Sequence, residues 1–233
     1  MLSWRQITIK FQIYRKALHD PSLTALLVLQ VFMLFGIEPL VSLGFEISAE
    51  LIAFLVTVLI TIVVLVSPSG WLILFVLFSF TLSGGGALIS LVTPSMLPNW
   101  LSACGDILAV LAVSWVVGKA AFGPGRVTAH RIRGAIVLYL NFALVFGAAY
   151  RLIAELAPGS FAGLPASLNR TSLIANSVYF SLTTLTTTGF GDIVPVNPFA
   201  RSLANLEAVM GQLYPATFLA RVVTLHIEEM GRR

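Results

Sequence analysis

Long apolar runs separated by short, punctuated gaps dominate the first half of the chain. Residues 22–41, 47–66, 71–91 and 104–122 form four such runs, bounded by Pro39 and Gly44, Pro68 and Gly70, or Pro94 and Pro98. At about 1.5 Å rise per residue, a helix needs about 20 residues to cross a hydrocarbon core of roughly 30 Å. Each run therefore predicts one membrane span. A fifth run extends from residue 134 to about 156 and stops at Pro158-Gly159, and a sixth, 200–226, is longer and carries internal polar positions. The pattern predicts an all-α membrane protein with six transmembrane helices.

Between the last two runs lie residues 157–199, a stretch too long for a tight connection and too sparsely charged for a solvated domain. Within it, residues 171–186 read as a short apolar helix, which is too short to span and fits a re-entrant segment. The helix gives way to Thr187-Thr188-Gly189-Phe190-Gly191-Asp192, and Pro195 and Pro198 end the excursion. Irregular backbone at membrane depth is tolerated only where protein buries it or where it lines a watery path.

Composition sharpens the class. Hydrophobic residues make up 58% of the 233 positions and charged residues only 10%, with a mean hydropathy of +0.94. Soluble domains carry about 25% charged residues, so both a soluble globular protein and a disordered chain are excluded. Cys104 is the single cysteine, which leaves no disulfide framework, and the three histidines are scattered without metal-ligand spacing. The net charge of +4 is not read as a nucleic-acid surface; its distribution carries the information.

Arg5, Lys10, Arg15 and Lys16 precede the first run, opposed by Asp20 alone, and Lys119 at the end of the fourth is followed by Arg126, Arg131 and Arg133. Glu38, Glu46 and Glu50 lie in and beside the first intervening loop, with no basic residue. Positive charge in short loops marks the cytoplasmic side. Both termini, including Arg232 and Arg233, are thus expected inside a cell inner (plasma) membrane. Residues 4–16 mix apolar and basic positions and read either as an interfacial helix or as a basic tether. The expected organisation is a basic segment over 1–20, a four-span region over 21–133 and a pore region over 134–233.

A dehydrated cation needs several oxygens, and backbone carbonyls supply them when all point to one axis. Gly189 and Gly191 can take the positive-φ conformations that this demands. The Thr187 hydroxyl adds an innermost ring of oxygens, and Asp192 raises the local cation concentration at an outer mouth. The stretch 181–195, from Ser181 through Gly189-Phe190-Gly191-Asp192 to Pro195, resembles the pore helix and selectivity filter of potassium channels. Asn205-Leu-Glu-Ala-Val-Met-Gly-Gln-Leu-Tyr214 is similar to the inner pore helix of bacterial two-helix-plus-loop ion-channel domains.

The resemblance covers about two-fifths of the chain, roughly residues 134–226, and implies a homotetramer in the bilayer that conducts potassium ions passively. Thr187, Thr188, Gly189, Phe190 and Gly191 would form the filter, with potassium at Thr187, Thr188, Gly189 and Phe190. No cofactor other than the permeant ion and no nucleic-acid partner is expected. The chain departs from the family at Thr188, where Val or Ile is usual, at Phe190, where Tyr is commonest, and at Thr183, where some relatives carry Glu. A weakly selective cation channel therefore stands as the alternative, with a non-conducting membrane subunit behind it.

On the sixth run, Gln212, Pro215, Leu219 and Val223 fall on one stripe at 100° per residue, a candidate cavity face. Gly211 and Pro215 are hinge candidates, or the site of a fixed kink. Glu207 and Arg221 lie roughly opposite the stripe. The fourth run has no basic residue between Asp106 and Gly118, so a charged-helix voltage sensor has nothing to act on. Asp106 itself reads as an interfacial residue, and Gly84-Gly85-Gly86 as a close approach of helices or a break. An intramembrane enzyme would need a nucleophile with a partner, and Ser83 has no histidine within reach in this layout.

Overall fold

The computed structural model describes residues 23–36, 39–40, 43, 70–92, 96–122, 128–164 and 170–230. The expected basic segment at 1–20 and the span at 47–66 lie outside the described residues. Six helices are described: α1 (Leu23–Gly36), α2 (Gly70–Val92), α3 (Met96–Phe122), α4 (Ala129–Leu156), α5 (Arg170–Leu185) and α6 (Pro198–Met230). The last turn of α1, Phe32–Gly36, is π-helical. Two stretches, Trp100–Lys119 and Arg131–Leu156, are long and apolar enough to cross a membrane by length and composition. The fold is thus mostly helical, as the apolar runs predict.

Helix ends follow local chemistry. Thr128 caps α4, its side chain accepting the Arg131 amide while its own backbone is extended. Asn197 does the same for α6 by accepting the Phe199 amide at 2.8 Å, with Pro198 at the first helical position, where its missing N–H costs nothing. The helix then runs 33 residues without interruption through Pro215, about 50 Å at the usual rise. α2 is likewise continuous through Gly84-Gly85-Gly86. The close approach in that region falls one helix later: a β-carbon on Gly105 of α3 would lie 2.4 Å from the Ser83 amide nitrogen of α2.

In order, α2 packs on α3, α3 on α4, and α4 on both α5 and α6. The buried core divides into two patches along α4. Near its start, Val137 and Leu138 meet Leu23 and Leu26 of α1, Val76 of α2, and Ala109, Ala112, Val113 and Val117 of α3. Nearer its end, Phe146 and Tyr150 meet Phe161, Phe180 of α5, Ile193, and Ala200 and Ala204 of α6. Two two-residue strands, β1 (Phe161–Ala162) and β2 (Val194–Pro195), pair antiparallel in the register Phe161↔Pro195. They tie the segment before α5 to the segment after the candidate filter.

Large apolar side chains stand exposed on α2 and α6, among them Trp71, Phe78 and Leu88, and Phe199, Leu206, Leu213 and Leu219. Apolar surface on this scale needs lipid or another protein surface to cover it.

Candidate functional site

At the end of α5 its threonines bond back to its own carbonyls. Thr183 and Thr184 both donate to the Phe180 carbonyl, at 2.9 and 2.8 Å, and Thr186 donates to that of Leu182 at 2.7 Å. The Thr183 carbonyl then receives two amides from the following strand, Thr188 N at 2.9 Å and Gly189 N at 3.2 Å. The strand is in this way pinned to the helix end at its base.

Along the strand the backbone alternates in hand. Thr187, Gly189 and Gly191 have φ of 56°, 54° and 80°, while Thr188 and Phe190 between them do not adopt positive φ. Alternating left- and right-handed residues undo the usual strand alternation, in which successive carbonyls point to opposite sides, and bring them to one side. The glycines adopt this freely; β-branched Thr187 does so at a cost of about 1–3 kcal/mol. Thr187 is the only non-glycine residue with positive φ among the described residues. Residues 186–192 are all exposed in the single chain.

Side chains hold this strand from both ends. Gln212 on α6 donates its amide to Thr187 Oγ1 at 2.9 Å, joining the expected cavity face to the expected innermost oxygen ring. Thr188 Oγ1 lies 2.8 Å from Thr186 Oγ1. Phe190 stacks on Tyr179 with rings 3° apart in plane and centroids 6.4 Å apart. The Tyr179 hydroxyl is held by the Asp192 carboxylate. Asp192 is therefore tied to Tyr179 of α5, while Thr183 keeps its side chain on the helix.

Behind the strand, α6 comes as close to α5 as backbones allow. A β-carbon on Gly211 would fall 1.9 Å from the Leu185 carbonyl oxygen, so only glycine fits. That oxygen also accepts the Tyr139 hydroxyl at 3.3 Å. Gly211 is thus buried at a packing contact, while Gln212, Pro215, Leu219 and Val223 are exposed along one side of α6. Four residues before Gly211, on the same face, Glu207 is fully buried. One carboxyl oxygen accepts the Tyr150 hydroxyl of α4 at 2.6 Å, and the other meets the Ser181 hydroxyl of α5. Ser181 Oγ also reaches the Ala143 carbonyl at 2.8 Å.

The sequence reading separated Glu207 from the cavity stripe but missed these partners. The available signal was the i, i+4 spacing from Gly211, which puts both residues on the face toward α5. A second polar group was also missed. Arg151, next to Tyr150 and buried, pairs with Asp106 of α3 at 3.3 Å and approaches Glu155 at 3.7 Å. Ser83 of α2 donates to Asp106 at 2.5 Å. Asp106 is therefore part of an interhelical ion pair. Arg221 donates to the Phe122 carbonyl at the end of α3 at 2.7 Å and lies over the Phe122 ring.

Residues 135–228 match a protein family described as ion channel. Among curated relatives, Protein LctB of Bacillus caldotenax is 34% identical over 87 residues, 36% of this chain and 64% of that protein. Protein LctB of Geobacillus stearothermophilus is 39% identical over 66 residues, covering 28% of this chain and 45% of that protein. Two pore potassium channel a of Oryza sativa subsp. japonica is 35% identical over 60 residues, 26% of this chain and 17% of the channel. The chain thus spans less than two thirds of the length of each of these relatives. No solved structure matches. With α4, α5, the strand and α6 in this arrangement, these likenesses support an ion-channel domain over residues 135–228, in a membrane protein rich in apolar helices.

Proposed function

We propose that the chain is one of four identical subunits of a potassium-selective channel that conducts passively and lacks a charged voltage-sensing helix. One strand of carbonyls cannot surround an ion. Four copies about an axis close the rings, and the exposed strand 186–192 and exposed α6 face are the surfaces such copies would share. Thr187, Thr188, Gly189, Phe190 and Gly191 then provide oxygens that replace the hydration shell of the permeant ion. Asp192 lends negative charge to the outer mouth, and Gln212, Pro215, Leu219 and Val223 line the inner cavity. Arg131 and Arg133 at the start of α4 support a cytoplasmic origin for that helix.

The observation that carries this reading is the alternation of positive φ at residues 187, 189 and 191, in a strand that follows a half-span helix. Replacing Gly189 with Val tests it in liposomes loaded with potassium. Flux through the unsubstituted protein and its loss in the variant support a pore through this strand. Equal flux in both would place conduction elsewhere.

A second reading, a weakly selective cation channel, is favoured by the Thr188–Thr186 contact and by Phe190, which has no hydroxyl to brace the filter. It differs from the first in ion preference only.

A further inference from the structure

Among the described residues, the buried carboxyl of Glu207 has no cation beside it. From α4 it meets Tyr150, with Tyr139 further along the helix committed to the Leu185 carbonyl. Arg151, the neighbouring cation on α4, is turned away to Asp106 and Glu155. From α5 it meets only Ser181, since Tyr179 is engaged with Asp192. On α6 itself, Arg201 is taken by the Pro195 carbonyl, Tyr214 by the Ala135 carbonyl and Arg221 by the Phe122 carbonyl. The strands β1 and β2 offer no charged group.

Counting protons decides how this site is wired. A serine hydroxyl has one proton to give and two lone pairs to accept with. Ser181 Oγ sits within hydrogen-bond reach of two oxygens, the Ala143 carbonyl and Glu207 Oε1. The carbonyl can only accept. Were Glu207 ionised, it too could only accept, and one proton would face two acceptors. A protonated Glu207 completes the set: its hydroxyl donates to Ser181, Ser181 donates to Ala143, and Tyr150 donates to the remaining carboxyl oxygen. Every polar atom of the group is then paired without a buried net charge, which apolar surroundings otherwise penalise heavily.

We propose that Glu207 carries its proton and, as a neutral acid, is a positioning residue that fastens α5 between α4 and α6 behind the filter. Its bond to Ser181 fixes the helix whose end pins Thr188 and Gly189. The role in conduction rests on the channel reading; the proton on Glu207 does not.

The experiment compares the full-length protein with E207Q, E207A and Y150F, each reconstituted in liposomes. Gln has the donor and acceptor of the neutral acid, so E207Q keeps potassium flux within about twofold of the unsubstituted protein. E207A, leaving Tyr150 without its partner and Ser181 with the Ala143 carbonyl alone, loses roughly tenfold or more, and Y150F loses less, as expected for buried hydrogen bonds. Raising the pH strips the proton from Glu207 and lowers flux in the unsubstituted protein, while E207Q shows no such fall. Infrared difference spectra at neutral pH show a carboxylic-acid carbonyl band that E207Q removes. The proposal is overturned if that band is missing, if E207Q loses flux as E207A does, or if both proteins decline alike with pH. If no form conducts, the channel reading fails while the infrared band still decides the proton.

Discussion

Tyr150 and Arg151 are neighbours on one helix, yet they serve opposite sides of it. Tyr150 reaches Glu207 on α6, beside the candidate filter, in a site built only of hydroxyls and a carbonyl. Arg151 reaches Asp106 on α3, in a site where charge meets charge and Asp106 stays 40% exposed. At 100° per residue two consecutive side chains diverge in this way, so α4 is a wall between two regions. On one side the fit is set by backbone approach and proton count; on the other an ion pair and small apolar residues join helices. The difference teaches where substitutions should alter conduction and where they should alter only assembly.

The largest effect separating the two regions is expected at Gly211. G211V drives a side chain into the Leu185 carbonyl, and α6 must leave α5; flux in liposomes should vanish, with a stability loss of about 3 kcal/mol or more from overpacking. On the far side, R151L should cost about 3 kcal/mol, the low end for breaking a buried pair because Asp106 is half exposed. Denaturation midpoints in detergent should report that loss, while ion preference in the surviving protein is unchanged. A change of ion preference in R151L would erase the division between the two regions.

Smaller effects sharpen it. Asp106 turns one oxygen to Ser83 and the other to Arg151. D106N keeps the shape and can leave its single oxygen on Arg151 with its amide toward the Ser83 hydroxyl, so it should cost less than R151L, on the order of 1 kcal/mol; an equal or greater loss would show that the charge of Asp106 dominates the site. Q212A removes the amide on Thr187, a loss of about 1 kcal/mol. It should alter single-channel conductance severalfold while lowering the denaturation midpoint no more than D106N does. If Q212A leaves conductance untouched, the contact with Thr187 has no part in ion passage.

Much of this was legible in the sequence, for definite reasons. Apolar length and bounding prolines predicted α2 nearly to the residue, and the short apolar run at 171–186 became α5. The α3 start was misjudged by eight residues because Leu97, Trp100 and Leu101 continue the helix past Pro98, which sits within its first turn, where proline is tolerated. Gly189 and Gly191 announced positive φ, whereas nothing in the residue type announced it for Thr187; there the pinning of the strand on Thr183 overrides intrinsic preference. Arg151 and Asp106 are 45 positions apart in sequence, and only the packing of α3 on α4 brings them together. Glu207 was visible as an acid within an apolar run, but its two hydroxyl partners belong to other helices.

The central claim is that residues 187–191 form a filter that prefers potassium. The measurement that tests it most directly is the reversal potential of the purified protein in a planar bilayer, with potassium on one side and sodium on the other. A reversal potential approaching the potassium equilibrium value, lost when Gly191 is replaced by Ala, is the predicted result. A value near zero under the opposed gradients would contradict it and leave a channel that passes cations with little preference.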